Sequence, residues 1–307
     1  MAKFVIKVTN GMRISDGVAL TQRVNNLLSG VYYPAAMAGA FSLFTLLQSQ
    51  GAVLIVSTYL PILVVAALMI WLEMKCPHRA EWRPDVGEIK IDLVFMAVVQ
   101  GAFPPLVRFG FIYALVEPVR ALDLPVISIW PHVWPIGLQG LLMVLSVDFL
   151  RYWLHRAAHE NETLWRLHAV HHSVERLYWF NTGRFHPLEK VLQMALDSLP
   201  FLLMGVDVRV LALYFVAYAT NGFFQHCNIR LRYGVLNYIV GSADTHRWHH
   251  SRKPKESNAN YGNTVIIWDL LFGTWYLPKA REVEEIGLQE QAYPKSFLGL
   301  LRAPFTR

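Results

Sequence analysis

The chain has 307 residues, of which 54% are hydrophobic and only 16% are charged. A soluble domain carries about 25% charged residues, so this composition predicts a chain that lies largely in lipid. Disorder is excluded because it requires low hydrophobicity and high charge density. A disulfide scaffold is excluded because the only cysteines are Cys76 and Cys227. The net charge of +6 is expected from cationic residues that face lipid headgroups, and we expect no nucleic acid partner.

Apolar runs early in the chain predict membrane helices. The run at 33–47 is short for a span, whereas the run at 52–72 is long enough to cross a hydrocarbon core of roughly 30 Å. The polar residues 48–51 between them are typical of a tight turn, so the two runs predict a membrane hairpin. The run at 93–116 contains a Pro-Pro pair and Arg108, which predict a kink with Arg108 directed to the headgroups or into the protein.

Two later apolar runs complete the predicted membrane region. The run at 133–150 predicts a fourth span, and the run at 191–224, broken near its centre by a Gly-Val-Asp sequence, predicts a second apolar hairpin. Basic residues are frequent before the first run and in the loop at 73–91, but scarce at 117–130. The positive-inside rule therefore predicts a cytoplasmic N-terminus, and four spans return the chain to the cytoplasm at Arg151.

The histidines form three clusters just after the predicted fourth span. The first is a His-x-x-x-His pair, which lies on one face of a helix that continues out of the span. The second and third clusters both read His-x-x-His-His, and offsets of three and four predict that each triad shares one side of a helix. Two further histidines, His186 and His226, flank the apolar hairpin. The clustered residues are His155, His159, His168, His171, His172, His246, His249 and His250.

Metal coordination explains this convergence better than packing does. Burying imidazoles without partners costs about 1–3 kcal/mol each, and imidazole is a common ligand of iron, zinc and copper. Eight or more ligands exceed the needs of one ion, so two ions with four or five nitrogens each fit the count. Nearby carboxylates are expected to hold the ring N–H groups. The candidates are Asp148, Glu160, Glu189, Asp244 and Asp269.

A redox-active pair of irons is the interpretation that uses the whole histidine set. A zinc hydrolase normally keeps three protein ligands, and Arg156 stands where a His-Glu-x-x-His motif would have its glutamate. Spacing alone does not identify the metal. Two other classes therefore remain open, a membrane protein that transports or stores metal and a zinc-dependent membrane hydrolase.

The ordered set of histidine motifs between residues 148 and 274 resembles the membrane fatty acid hydroxylase/sterol desaturase superfamily. The matching segments beside the three clusters are Arg-Phe-His-Pro-Leu-Glu at 184–189, Gln-His-Cys-Asn at 225–228, Asn-Tyr-Gly-Asn at 260–263, Trp-Asp at 268–269 and Phe-Gly-Thr at 272–274. The resemblance implies a non-haem di-iron oxygenase that uses O2 and hydroxylates or desaturates a lipid C–H bond, of sterol or fatty acyl type. Zinc is expected as a substitute for iron in purified protein.

By this resemblance the eight clustered histidines are the core ligands and His226 is the ninth. Some relatives carry a further histidine where this chain has Gly222, and His186 is the candidate for that tenth position. Electrons are expected from a separate donor of ferredoxin or cytochrome b5 type and its reductase, because no fused cytochrome domain is apparent.

The predicted fold class is an all-α integral membrane protein. It has about four transmembrane helices, a membrane-embedded helical hairpin and a cytoplasmic, helical, histidine-rich region. The predicted regions are membrane helices at 1–130, a catalytic region at 131–280 and a tail at 281–307.

Overall fold

The computed structural model describes residues 14–121, 129–290 and 292–306, with side chains from residue 28 onward except at 120. These residues form an all-helical structure, as predicted. Within the described ranges, β-structure is limited to three isolated bridges. Three helical segments are long and apolar enough to cross a membrane, namely Leu28–Ser49, Leu54–Lys75 and Val86–Val119.

The first membrane hairpin is confirmed. Helix α1 (Ile14–Ser49) and helix α2 (Leu54–Lys75) pack side by side, and Gly51, with a φ of 76°, closes the turn between them. The first span is longer than its apolar run predicts. Small and weakly polar residues that precede the run, such as Ser29 and Gly30, continue the same helix.

The third span combines α-helical and π-helical segments. Helix α3 (Val86–Val94) begins with a capping box between Asp85 and Glu88. A π segment (Phe95–Ala102), helix α4 (Phe103–Phe111), a second π segment (Ile112–Val116) and helix α5 (Glu117–Ala121) then follow without a break. Both prolines occupy the first turn of α4, directly after the first π segment, where their missing N–H groups interrupt the helical hydrogen bonding. Arg108 is exposed, so it does not face the protein interior.

The predicted fourth span lies in helix α6 (Ile136–Glu160), which is not among the three candidate spans. Its apolar part, residues 136–147, rises only about 18 Å at 1.5 Å per residue, short of a hydrocarbon core of roughly 30 Å. Beyond that point Asp148 and Arg151 are buried inside the protein.

The second apolar hairpin is present as predicted. Helix α7 (Glu162–His172) precedes it and carries the second histidine cluster. Helix α8 (Pro187–Leu203) and helix α9 (Val208–His226) form the hairpin, with Gly205 at a positive φ in the turn. Because α9 packs against α1, α2 and α6, the histidine-bearing helices are fixed to the membrane helices.

The C-terminal part covers the histidine region. Helix α10 (Ala243–His249) carries the third cluster and is followed by short helices α11 (Pro254–Ser257) and α12 (Ile267–Phe272). Helix α13 (Phe297–Thr306) packs on α7, with Leu300 buried beside Val170. The regional boundaries given above stay a prediction, but the segment predicted as a tail is in contact with a ligand-bearing helix.

Candidate metal centre

Nine histidines meet in two adjacent groups. Within each group, one ring nitrogen from every histidine lies within 4.8 Å of those of all the others. Rings from the two groups touch, since the centroids of His172 and His250 are 4.5 Å apart. The five-histidine group contains His155, His159, His168, His172 and His249, and the four-histidine group contains His171, His226, His246 and His250.

The grouping follows from helix geometry and corrects the expectation that each triad stays together. At 3.6 residues per turn, positions i and i+4 are about 40° apart, whereas i+3 and i+4 diverge by about 100°. The i, i+4 pair of α7, His168 and His172, therefore joins the five-histidine group, and the middle residue His171 turns to the other. In α10 the middle residue His249 likewise leaves the pair it stands between. Helix α7 and helix α10 with its C-cap residue thus each supply histidines to both groups.

Most of these rings are oriented by an acceptor on Nδ1. The Nδ1 of His155 lies 2.7 Å from the Tyr261 carbonyl oxygen, that of His249 lies 2.8 Å from the Ala259 carbonyl oxygen, and that of His171 lies 3.3 Å from the Arg184 carbonyl oxygen. Carbonyl oxygens only accept, so each of these Nδ1 atoms carries the proton. The Nε2 atom of each ring is therefore free to bind a metal.

The positions of the Nε2 atoms are those expected of histidines that bind a metal ion. His155 and His168 both have Nδ1 bound to an acceptor, so both Nε2 atoms present lone pairs, yet these atoms are only 3.0 Å apart. Two facing lone pairs repel each other, and a shared cation removes that repulsion. Imidazole nitrogens bind zinc at about 2.0–2.1 Å, so two ligands at a right angle lie about 3.0 Å apart. The Nε2 of His159 is buried and has no partner among the described residues.

The electrostatics of the site favour neutral imidazoles. Burial lowers the pKa of His168, His171 and His249 well below the usual value, and neighbouring imidazoles lower the pKa further. The neutral form is the one that coordinates metals. The site therefore presents uncharged nitrogen ligands without requiring deprotonation at neutral pH.

Among the five candidate carboxylates, Glu189 contacts a histidine directly. Its Oε1 accepts from His168 Nδ1 at 2.8 Å, and both side chains are buried. Asp269 acts one step away, because it accepts from the Tyr261 and Gly262 N–H groups and thereby holds the carbonyl that binds His155.

The remaining three carboxylates have other partners. Asp148 accepts from the N–H groups of Thr264 and Val265, farther along the same loop. Glu160 pairs with Arg156 at 2.8 Å, and Asp244 pairs with an arginine three residues later on α10. The prediction that Glu160 and Asp244 hold ring N–H groups therefore finds no support in their contacts.

His186 lies apart from both groups, against the prediction that it is a ligand. It caps helix α8, where its Nδ1 accepts from the Leu188 N–H at 3.2 Å. Its Nε2 then donates to the Leu301 carbonyl oxygen at 3.2 Å. Both ring nitrogens are thus committed to structural hydrogen bonds, and no histidine fills the place of Gly222.

Several supporting residues were missed by the sequence analysis. The amide oxygens of Asn181 and Asn258 lie 2.8 Å and 3.1 Å from Nδ1 of His226 and His159. Both asparagines stand far from their partner in the sequence, so no local spacing indicates them. Asp92, fully buried in α3, pairs with Arg184, whose carbonyl oxygen binds His171.

An apolar cavity leads from the membrane helices to the histidines. Its lining includes Tyr59 and Leu63 of α2, and because both side chains are exposed we place the mouth of the cavity there. Because α2 is a candidate span, this mouth faces the region that lipid would occupy. Further in, the walls include Ala66, Met96, Phe215, Ala219 and Phe223, and the inner end includes His155, His168, His171, His226 and His246. The cavity thus reaches both groups.

The chain belongs to the fatty acid hydroxylase family. The family model described as "Fatty acid hydroxylase" matches residues 140–274, the segment that contains all nine grouped histidines. No solved structure gives a significant match.

The relatives are enzymes that act on lipids. An ornithine lipid hydroxylase from Rhizobium tropici is 33% identical over 92% of this chain and 85% of its own length. An alkylglycerol monooxygenase from Xenopus tropicalis is 31% identical over 62% of this chain, which spans only 40% of that longer protein. A very-long-chain aldehyde decarbonylase from Oryza sativa subsp. indica is 27% identical over 56% of this chain and 70% of its own length.

Proposed function

We propose that this protein is an O2-dependent, non-haem di-iron oxygenase that hydroxylates a C–H bond of a membrane lipid. The observation that carries the proposal is the convergence of nine neutral histidines, seven of them buried and two half-buried, in two touching groups at the inner end of an apolar cavity. Hydroxylation is favoured over desaturation because relatives over the matched region are named hydroxylase and monooxygenase.

The protein's own residues bind and orient the lipid. Apolar side chains of α2 and α9 contact the hydrocarbon chain of the lipid and exclude water. At the inner end of the cavity, one carbon of the lipid lies beside the histidines. Two irons bound by the two groups would supply the oxygen activation that an unactivated C–H bond requires. The Nδ1 contacts fix the tautomer and orientation of the ligating rings.

Electrons are proposed to come from a separate donor of ferredoxin or cytochrome b5 type with its reductase. A second, more polar cleft reaches the five-histidine group at His159 and His172, beside Trp165. The Trp165 ring lies 5.1 Å from the His159 ring and 5.3 Å from the His172 ring. We propose that this face lies on the cytoplasmic side, as the distribution of basic residues indicates.

Metal analysis combined with turnover tests the proposal. Protein purified from membranes is expected to hold near two irons per chain and to consume O2 in step with lipid hydroxylation when a reductase system is supplied. His171→Ala should abolish turnover and lower the iron content while the protein stays in the membrane.

The matched control is His186→Ala, which changes the same residue type outside both groups and should keep its iron. One stoichiometric zinc per chain with no O2 consumption would contradict the proposal and favour a hydrolase. Full activity in His171→Ala would show that the ligand assignment is wrong.

A further inference from the structure

Two acceptor groups stand in the wall of the largely apolar cavity. Glu189 and Gln193 are four residues apart on α8, so they share one face of the helix. Counted over the whole residue, backbone included, Glu189 is 6% exposed and Gln193 is 3% exposed. Both line the cavity beside His168. Polar side chains so deeply buried normally have hydrogen-bond partners.

The hydrogen bonds of this pair leave two oxygens unused. The Glu189 carboxylate only accepts, and its Oε1 receives His168 Nδ1 at 2.8 Å and Gln193 Nε2 at 3.0 Å. The amide of Gln193 must therefore turn its NH2 group to Glu189, which leaves its own Oε1 unbound. Glu189 Oε2 and Gln193 Oε1 are both buried, and neither has a partner among the residues that the structure describes.

The neighbouring charges disfavour a cation as the missing partner. Arg151, in the same wall, donates to Asp197 at 3.0 Å. The Lys190 amine lies over the ring of Tyr218 and contacts its hydroxyl at 3.3 Å. These two cations are already balanced by the two carboxylates beside them, so an ammonium group of a ligand would add an unbalanced buried charge, whereas a neutral donor would not.

We propose that Gln193 Oε1 and Glu189 Oε2 receive a neutral hydrogen-bond donor of the substrate, a hydroxyl or a secondary amide N–H. This inference rests on the proposed function, whose substrate class it narrows. The substrate is then a lipid that carries such a donor within its apolar part. Because Glu189 also contacts His168, the donor lies next to the five-histidine group, and the carbon hydroxylated is only a few bonds away from it.

Paired lipids that differ only in the donor test the proposal. One arm compares an N-acyl amino acid lipid with its N-methyl amide analogue. The other arm compares a 3-hydroxyacyl lipid with its methyl ether. The wild type is expected to turn over the donor-bearing member of at least one pair about 10- to 100-fold more efficiently, because a buried acceptor left unpaired is costly. The arm that shows this preference identifies the source of the donor.

Variants at Gln193 assign the preference to the acceptor pair. Gln193→Met keeps the length of the side chain and removes the oxygen, so the preference should fall to near one. Gln193→Glu should keep it, because a carboxyl buried against Glu189 is protonated and can donate to Glu189 while its carbonyl oxygen replaces the amide oxygen. The matched control is Gln100→Met in the same cavity, where the amide donates to the Gly183 carbonyl oxygen at 3.0 Å and should not influence the preference.

The outcomes separate this proposal from the proposed function. A wild type that hydroxylates both members of each pair equally well, or a Gln193→Met variant that keeps its iron and its preference, would overturn donor recognition while leaving the hydroxylase intact. Loss of the preference in Gln193→Glu with iron retained, or an equal loss in Gln100→Met, would overturn it as well. Failure of the wild type to hydroxylate any of the four lipids with iron and reductant present would count against the proposed function itself.

Discussion

The contact between Glu189 and His168 offers a sharp test of how the site holds its metal. Glu189 Oε1 is 2.8 Å from His168 Nδ1, and the two side chains are 8% and 2% exposed, so little water can replace the bond. Glu189→Ala removes the acceptor and leaves a buried N–H group unsatisfied. Glu189→Gln keeps an oxygen in place but removes the negative charge.

The expected effects differ in size. An unsatisfied buried donor costs about 1–3 kcal/mol, which corresponds to roughly 5- to 150-fold in a binding constant. Losing a partner of this kind typically lowers metal affinity or activity about 10- to 100-fold. For Glu189→Gln, a neutral bond replaces a charge-assisted one, a difference of about 1 kcal/mol or about 5-fold. The predicted order of iron retention is therefore wild type, then Glu189→Gln, then Glu189→Ala.

A chelator titration of the purified, iron-loaded protein measures this order. The matched control is Glu162→Ala, in the first turn of the same helix as His168, where the side chain is 78% exposed and pairs with Arg166. Such a surface pair contributes at most about 0.5 kcal/mol and should not change iron retention. If Glu189→Ala keeps its iron as firmly as Glu162→Ala does, the carboxylate does not support the ligand and the reasoning is wrong.

Three further predictions follow from the same contacts. Ala219→Trp should fill the cavity and lower lipid turnover at least about 10-fold, while elemental analysis shows unchanged iron; normal turnover would place the lipid elsewhere. Asp269→Ala should lower the unfolding free energy by about 3 kcal/mol or more, because it leaves three donors unpaired; an unchanged melting temperature in detergent would contradict this. Lys279→Cys, exposed and placed in a Cys76→Ser background, should react with an impermeant thiol reagent only from the cytoplasmic side; labelling from outside would reverse the proposed orientation.

Histidine spacing predicted that the rings converge, but it did not predict their division. A His-x-x-His-His motif places its histidines on neighbouring faces, and the face that each one uses depends on the helix packed opposite. His171 meets His226 and His246 only because α7, α9 and α10 pack together. Such tertiary contacts leave no trace in the spacing within one helix.

The supporting carboxylates show the same limit. Glu160 follows the ligand-bearing pair of α6 directly, yet Arg156, four residues before it on the same face, holds its carboxylate. Glu189 is 21 residues from His168 and contacts it because α8 folds back beside α7. Proximity in sequence favoured Glu160 as the partner of a histidine, whereas the packing of the helices brings Glu189 to His168.

The fourth predicted span is not among the three candidate spans for a related reason. Hydropathy treats each residue of the run as facing lipid, but α6 buries Gln139, Asp148 and Arg151 against protein. Asp148 is held by backbone N–H groups of the loop between α11 and α12, and Arg151 is held by Asp197 of α8. Helix α6 therefore packs inside the protein next to the site, and its polar residues bind the segments that surround it.

The two openings to the site divide its tasks by polarity. The cavity from α2 is lined mainly by apolar side chains and touches histidines of both groups, whereas the polar cleft touches only His159 and His172 of the five-histidine group. A lipid that fills the cavity therefore leaves Trp165 and the cleft open to a polar partner. If electrons arrive through the polar cleft, as proposed, substrate binding and electron delivery use different openings and can occur at the same time.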